Sequence, residues 1–390
     1  MIPLPQELLD QILDQLYDDM RTLGSCALTS RSLLDRSRHH HFRMIVVITE
    51  PPSHKRWSEF LELIVHPDFS KHIRSLELLF FDWNYSVDGC LAISLLDFQR
   101  LLDRLPFLQD LDMQGVNITA SGCTSPNDIT ENRLHNLDLR QCFFNEMSTT
   151  LPGLLHLSSP HSLSLSNLHS VETEPHALVV HHAVTPGIAS PVAHLRLGRI
   201  SAKCLKILRL AISSQTLVKF TFGIDISGDE ISSLGDLINH ISPSLRELRL
   251  TLPINSLEHA KWFNRRHIPW HLIHLSSTRQ LTSLVLDFDV WGIFEQEWEM
   301  PTQVILALLL TLPLTLRQIR IEITCNLTNS LSFLKQAALK ECLHRFPDLD
   351  SVVFGWKLCG YTKDECIQLA TRVKTLFPDL EARGFFHHEF

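Results

Sequence analysis

The chain has 390 residues, 35 Lys+Arg against 43 Asp+Glu, and a net charge of −8 with histidines neutral. This excludes a phosphate-grasping basic protein, so nucleic acid is not expected as a partner, and the 44% hydrophobic content excludes a disordered chain. The longest apolar stretch, Val304 to Leu314, is broken by Thr311 and Pro313 and is too short to span a bilayer.

The first ~45 residues read as a helical head. Leu8, Leu9, Ile12, Leu13 and Leu16 recur at spacings of three and four, one face of a helix. Pro5 suits the first helical position. Asp18 or Asp19 can cap a second helix through Leu23 and Leu28, and Thr29 or Ser30 a third ending near His41. So small a bundle cannot enclose all its leucines, so its surplus apolar surface must pack on the body or on a partner.

The body repeats. Apolar-x-apolar pairs fall at Leu76/Leu78, Leu111/Met113, Leu137/Leu139, Leu163/Leu165, Leu195/Leu197, Phe220/Phe222, Leu248/Leu250, Leu284/Leu286, Ile319/Ile321 and Val352/Phe354. Successive first members are 35, 26, 26, 32, 25, 28, 36, 35 and 33 residues apart. Outer copies are expected at Ile45–Ile48 and at Arg383-Gly384-Phe385. A leucine often stands three residues upstream, as in Leu134-His135-Asn136-Leu137-Asp138-Leu139, which is an L-x-x-L-x-L repeat core. Each unit leaves an apolar face that its neighbour must cover, so stacking is expected. Helices are expected at Ile231–Ile241 and Phe333–Phe346, and irregular segments at 121–130 and within 163–195. The alternative is an open doubly wound sheet.

The head also resembles a known family. Leu4-Pro5-x-Glu7-Leu8-Leu9-x-x-Ile12-Leu13-x-x-Leu16, then Asp19, Leu23, Cys26-Ala27-Leu28-Thr29-Ser30-Arg31 and Ser37-Arg38-His39-His40-His41-Phe42, is similar to an F-box, closest to those of mushroom-forming fungi. The expected fold is therefore α/β: a short three-helix F-box over 1–45, then an irregular leucine-rich-repeat-like α/β solenoid with a curved parallel sheet over 46–390. The resemblance implies a non-catalytic substrate receptor of a ubiquitin ligase. Leu4, Pro5, Leu8, Ile12, Leu13, Leu16 and Leu28 would dock a Skp-family adaptor, and through it a cullin. The alternative is an interaction scaffold without a ubiquitin role.

Residues between the strand anchors would line the face that holds a protein target. Asp112 and Asp138 give early repeats acidic character, while Arg196, Arg249 and Arg320, flanked by Arg140, give later ones guanidiniums for an acidic or phosphorylated segment. Trp291, Trp298 and Trp356 are core packing or ligand anchors. No metal, cofactor or membrane is expected: the sequence lacks H-E-x-x-H, phosphate-loop and nucleophile-elbow motifs. The nine cysteines include no CxxC and read as reduced thiols, as in the cytosol or nucleus.

Overall fold

The computed structural model describes residues 4–49, 55–80, 90–121, 133–171, 189–223, 228–253, 270–290, 299–325, 336–358 and 386–389, with positions 364, 367, 368, 371, 374, 375, 377, 378 and 381. The chain divides into two compact units, Met1–Ser190 and Pro191–Phe390.

The first unit opens with α1 (Gln6–Asp14), α2 (Met20–Thr29) and α3 (Arg31–Phe42). Pro5 stands just outside α1 in an extended conformation, not at the first helical position, and its carbonyl accepts from the N–H groups of Leu8 and Leu9. Asp19 caps α2 by accepting from the Thr22 N–H at 3.0 Å, and Ser30 caps α3 by accepting from Ser32 at 3.2 Å. Both caps lie at positions that the sequence offered. Leu13 and Leu23 are the head's buried hydrophobic core.

From Met44 the chain runs through β1 (Met44–Thr49), α4 (Lys55–Leu63), α5 (Pro67–Ser70), β2 (Ser75–Phe80), β3 (Ala92–Ser94), α6 (Leu95–Arg104), β4 (Asp110–Gln114), β5 (Asn117–Thr119), β6 (Asn136–Arg140), β7 (Phe143–Asn145), α7 (Met147–Ser158), β8 (Ser162–Ser166) and β9 (His169–Val171). The boundary expected between residues 45 and 46 falls within β1, inside this unit. β1, β2, β4, β6 and β8 pair in parallel and in chain order, stacking the half-buried Ile45 with the buried Leu76, Leu111, Leu137 and Leu163 in one row. The short strands β3, β5, β7 and β9 form a second parallel sheet.

One turn joins the two sheets in successive repeats. The residue just after β4, β6 and β8 (Gly115, Gln141 and Asn167) takes a positive φ of 71°, 54° and 52°. A buried residue follows each time: Val116, Cys142 and Leu168. The Gly115 N–H donates to the Arg140 carbonyl and the Gln141 N–H to the Ser166 carbonyl, so each turn is tied to the next repeat. At Gly115 a side chain would also meet the Phe80 carbonyl at 2.6 Å, which leaves glycine as the fitting residue.

The second unit comprises β10 (His194–Gly198), α8 (Ala202–Ala211), β11 (Lys219–Gly223), α9 (Gly228–Ile241), β12 (Glu247–Pro253), β13 (Ser283–Val290), α10 (Glu299–Thr311), β14 (Gln318–Cys325), α11 (Gln336–His344), β15 (Ser351–Leu358) and β16 (Phe386–Glu389). Its strands also pair in parallel and in chain order, and Leu195, Phe220, Leu248, Leu284, Ile319 and Val352 stack in register. In neither unit does the strand order reverse, the feature that marks a doubly wound sheet. The last strand pairs Phe386 with Val352, one residue beyond the expected copy, whose residues 383–385 lie outside the described ones. The segments 122–132 and 172–188, in regions where irregular structure was expected, also lie outside them.

Candidate docking surfaces

The first surface is on the head. The side of α1 facing α3 carries Gln6, Asp10, Leu13 and Asp14. Gln6 Nε2 donates to Asp10 Oδ1 and to the Ser32 carbonyl, both at 2.8 Å. Arg36 clamps Asp14 with two hydrogen bonds, Nε to Oδ1 at 2.6 Å and Nη2 to Oδ2 at 2.7 Å, while His40 Nε2 lies 2.7 Å from Oδ1. The Arg36 bonds, helped by His40, hold the Asp14 carboxyl at about 2. These contacts fix α1 on α3 and turn its other side outward.

That other side is apolar and open. Leu4 is 56%, Leu8 45% and Ile12 53% exposed; on α2, Leu28 is 90% exposed. Pro5 is exposed and Leu16 half-buried. Leu13 corrects the expectation: at 1% exposure it belongs to the core of the head and offers no surface. Spacing alone cannot tell the two sides apart, because Leu9 and Leu13 continue the same stripe as Leu8 and Ile12. Tyr17 and Met20 are exposed as well and were not singled out in the sequence. Tyr17 follows the end of α1 at Asp14 and Met20 is the first residue of α2, so neither continues the α1 stripe.

The second surface is the outward side of each sheet. In the first unit Glu77, Asp112 and Asp138 lie in register on β2, β4 and β6. Arg140 pairs with Asp112 and lies 3.7 Å from both Glu77 and Asp138. Asp112 and Asp138 are therefore partners of Arg140, not a separate acidic patch.

In the second unit Arg196, Thr221, Arg249, Val285 and Arg320 form one register row, which places the arginines on alternate strands as expected. Their charges are not equally available. Arg249 Nη2 donates to Asp287 Oδ2 at 2.6 Å and to Glu322 Oε2 at 2.7 Å, and Arg320 Nε donates to Glu322 Oε1 at 2.5 Å. Arg196 is exposed and has no ion pair among the described residues. Two of the three expected anion grips are thus already engaged by this unit's own carboxylates. Asp287 and Glu322 were missed because only the residue between the two anchors of each strand was read, and the residue two positions further on β13 and β14 faces the same side.

Other sequence candidates find little company. Among the described residues no group of three or more His, Cys, Asp or Glu could hold a metal ion, and no helix is long and apolar enough to cross a membrane. Cys26, Cys90, Cys142, Cys204 and Cys342 are free, and burial pushes the Cys142 and Cys204 thiols up to about 12. Trp291 and Trp298 lie outside the described residues, as does the side chain of Trp356. Compared with known proteins, the chain matches no family model and no curated sequence.

Proposed function

We propose that this protein is the substrate-recognition subunit of a Skp–cullin–F-box ubiquitin ligase. In this reading the head is an F-box that docks a Skp-family adaptor, and the leucine-rich-repeat-like body holds a protein target. The protein itself is non-catalytic. It raises the effective concentration of target lysines near a conjugating enzyme carried by other subunits. The observation that carries the reading is the open row of Leu4, Leu8 and Ile12 with Leu28, on a head whose own core is already closed by Leu13 and Leu23. Exposed apolar side chains grouped along one helix, as Leu8 and Ile12 are, mark interaction sites.

Replacing Leu8 and Ile12 together by Asp would place carboxylates in that interface, each costing several kcal/mol if buried unpaired. Adaptor capture is expected to fall by orders of magnitude, with the circular-dichroism melt unchanged because both side chains are exposed. Undiminished capture overturns the assignment. Recovery of a cullin with the adaptor distinguishes a ligase from an adaptor-bound scaffold. On the target side Arg196 is the uncommitted cation, so Arg196→Glu should weaken capture of an acidic or phosphorylated target more than Arg249→Glu or Arg320→Glu does without loss of folding.

A further inference from the structure

Behind the open face of the head, within the first unit, lies a cleft of about 420 Å³. It is lined by Gln6 and Asp10 of α1, by Arg31, Ser32, Asp35, Arg36 and His39 of α3, and by His72 from the turn between α5 and β2. The size suits a small polar molecule. His72 is only 4% exposed, and its Nε2 is buried with no hydrogen-bond partner among the described residues. Asp35 Oδ1 is near, at 3.5 Å, without making that bond. Native structures pair such an atom, so an unpaired one marks a place where a partner is missing.

The remaining groups say what kind of partner. The carboxylates are taken: Asp10 by Gln6, Asp35 by Lys71 at 3.1 Å, and Asp14 behind them by Arg36. Donors are left over. Arg31 has no hydrogen bond or ion pair among the described residues, and the Arg36 clamp uses Nε and Nη2 but not Nη1. Burial first, then neighbouring cations, hold both imidazoles below the ordinary histidine value: Arg36 and Arg74 act on His39, and Lys71, Arg38 and Arg74 on His72, where Asp35 opposes them. The cleft therefore sets two imidazoles, whose protonation is disfavoured, beside the unused donors of Arg31 and Arg36.

We propose that this cleft binds a small molecule bearing an oxyanion, a carboxylate or a phosphate group, which accepts from His72 Nε2–H and pairs with Arg31. Because the lining comes from α1, α3 and the α5–β2 turn, an occupant would tie the head to the first repeats. The proposal stands apart from the adaptor assignment and needs no partner protein to test.

The full chain would be titrated with inorganic phosphate, glycerol phosphate and acetate, following the imidazole resonances by NMR and the heat by calorimetry. At least one probe should bind saturably at millimolar concentration or tighter and move the His72 and His39 signals. His72→Asn and Arg31→Ala should each weaken binding at least about tenfold, while Arg279→Ala, an exposed cation elsewhere, should not. Arg31 is itself exposed, so its variant tests the site even where His72→Asn fails to fold. Saturation by phosphate alone assigns the phosphate form, and saturation by acetate the carboxylate form. The absence of saturable shifts with every probe, or equal weakening by Arg279→Ala, overturns the proposal.

Discussion

The head and the repeats use leucine in opposite ways. In the repeats every predicted strand anchor, from Leu76 to Phe354, is at most 3% exposed. Each interior strand has a parallel neighbour on both sides, so apolar rows such as Leu195–Phe220–Leu248–Leu284 are covered along the sheet. The head has only three short helices, and their mutual contact closes over Leu13 and Leu23 while Leu8, Ile12 and Leu28 remain outside. Repetition covers the strand anchors and leaves single exposed side chains such as Leu210 and Leu310 on the helices, whereas the short bundle leaves several apolar side chains of one head open. In the head that remainder is Leu4 just before α1, Leu8 and Ile12 along it, and Leu28 near the end of α2.

Substitutions can break or sharpen this contrast. The largest loss is expected for Phe220→Ala, which empties a fully buried site in the second unit. The cost should be about 3–5 kcal/mol by chemical denaturation. A cost near zero would mean that the anchor rows are not the core. Next is Gly235→Ala in α9. Its Cβ would fall 1.7 Å from the Leu272 carbonyl oxygen, so the helix and the turn at Trp270–Ile273 must separate. About 1–3 kcal/mol is expected, and a neutral melt would show that the two do not touch.

In the head, Asp14→Asn breaks the Arg36 clamp and weakens the His40 contact, and about 1–2 kcal/mol is expected for this partly exposed group. The pH dependence has a definite sign. The Asp14 carboxyl is lowered from 3.8 to about 2 in the folded head, so its stabilisation is present above pH ~4 and is lost as pH falls through about 2. NMR titration of the head amides should show this loss in the wild type and not in Asp14→Asn. An Asp14 that titrates at its ordinary value would remove the clamp from the account. Leu28→Ala should be smallest, within about 0.5 kcal/mol of wild-type stability, because the side chain is already in water. A larger loss would mean that the chain itself covers Leu28.

The legibility of the fold differs in the same way. Strand anchors were readable because alternation with period two puts Leu137 and Leu139 on one side whatever their surroundings. The caps at Asp19 and Ser30 were readable because a short oxygen-bearing side chain satisfies a local N–H. The repeat turn was not. Its left-handed position is filled by Gly115, Gln141 and Asn167, and its buried successor by Val116, Cys142 and Leu168. No residue type recurs, because the conformation is imposed by backbone bonds to the next repeat. Cys142 and Asn167 occupy two different positions of the repeat, the buried successor and the left-handed turn residue.

Sequence by itself determined which side chains enter the sheet cores and where the head helices begin, since both depend on neighbours within a few residues. Only the tertiary structure decided what each charge is free to do. Arg249 meets Asp287 and Glu322 from 38 and 73 residues away, and Asp14 meets Arg36 across 22. His72 is brought against α3 by the packing of the first repeats, not by any pattern in its own segment. Apolar burial follows local periodicity, but the pairing of charged groups depends on angstrom-scale distances between strands and helices far apart in the chain.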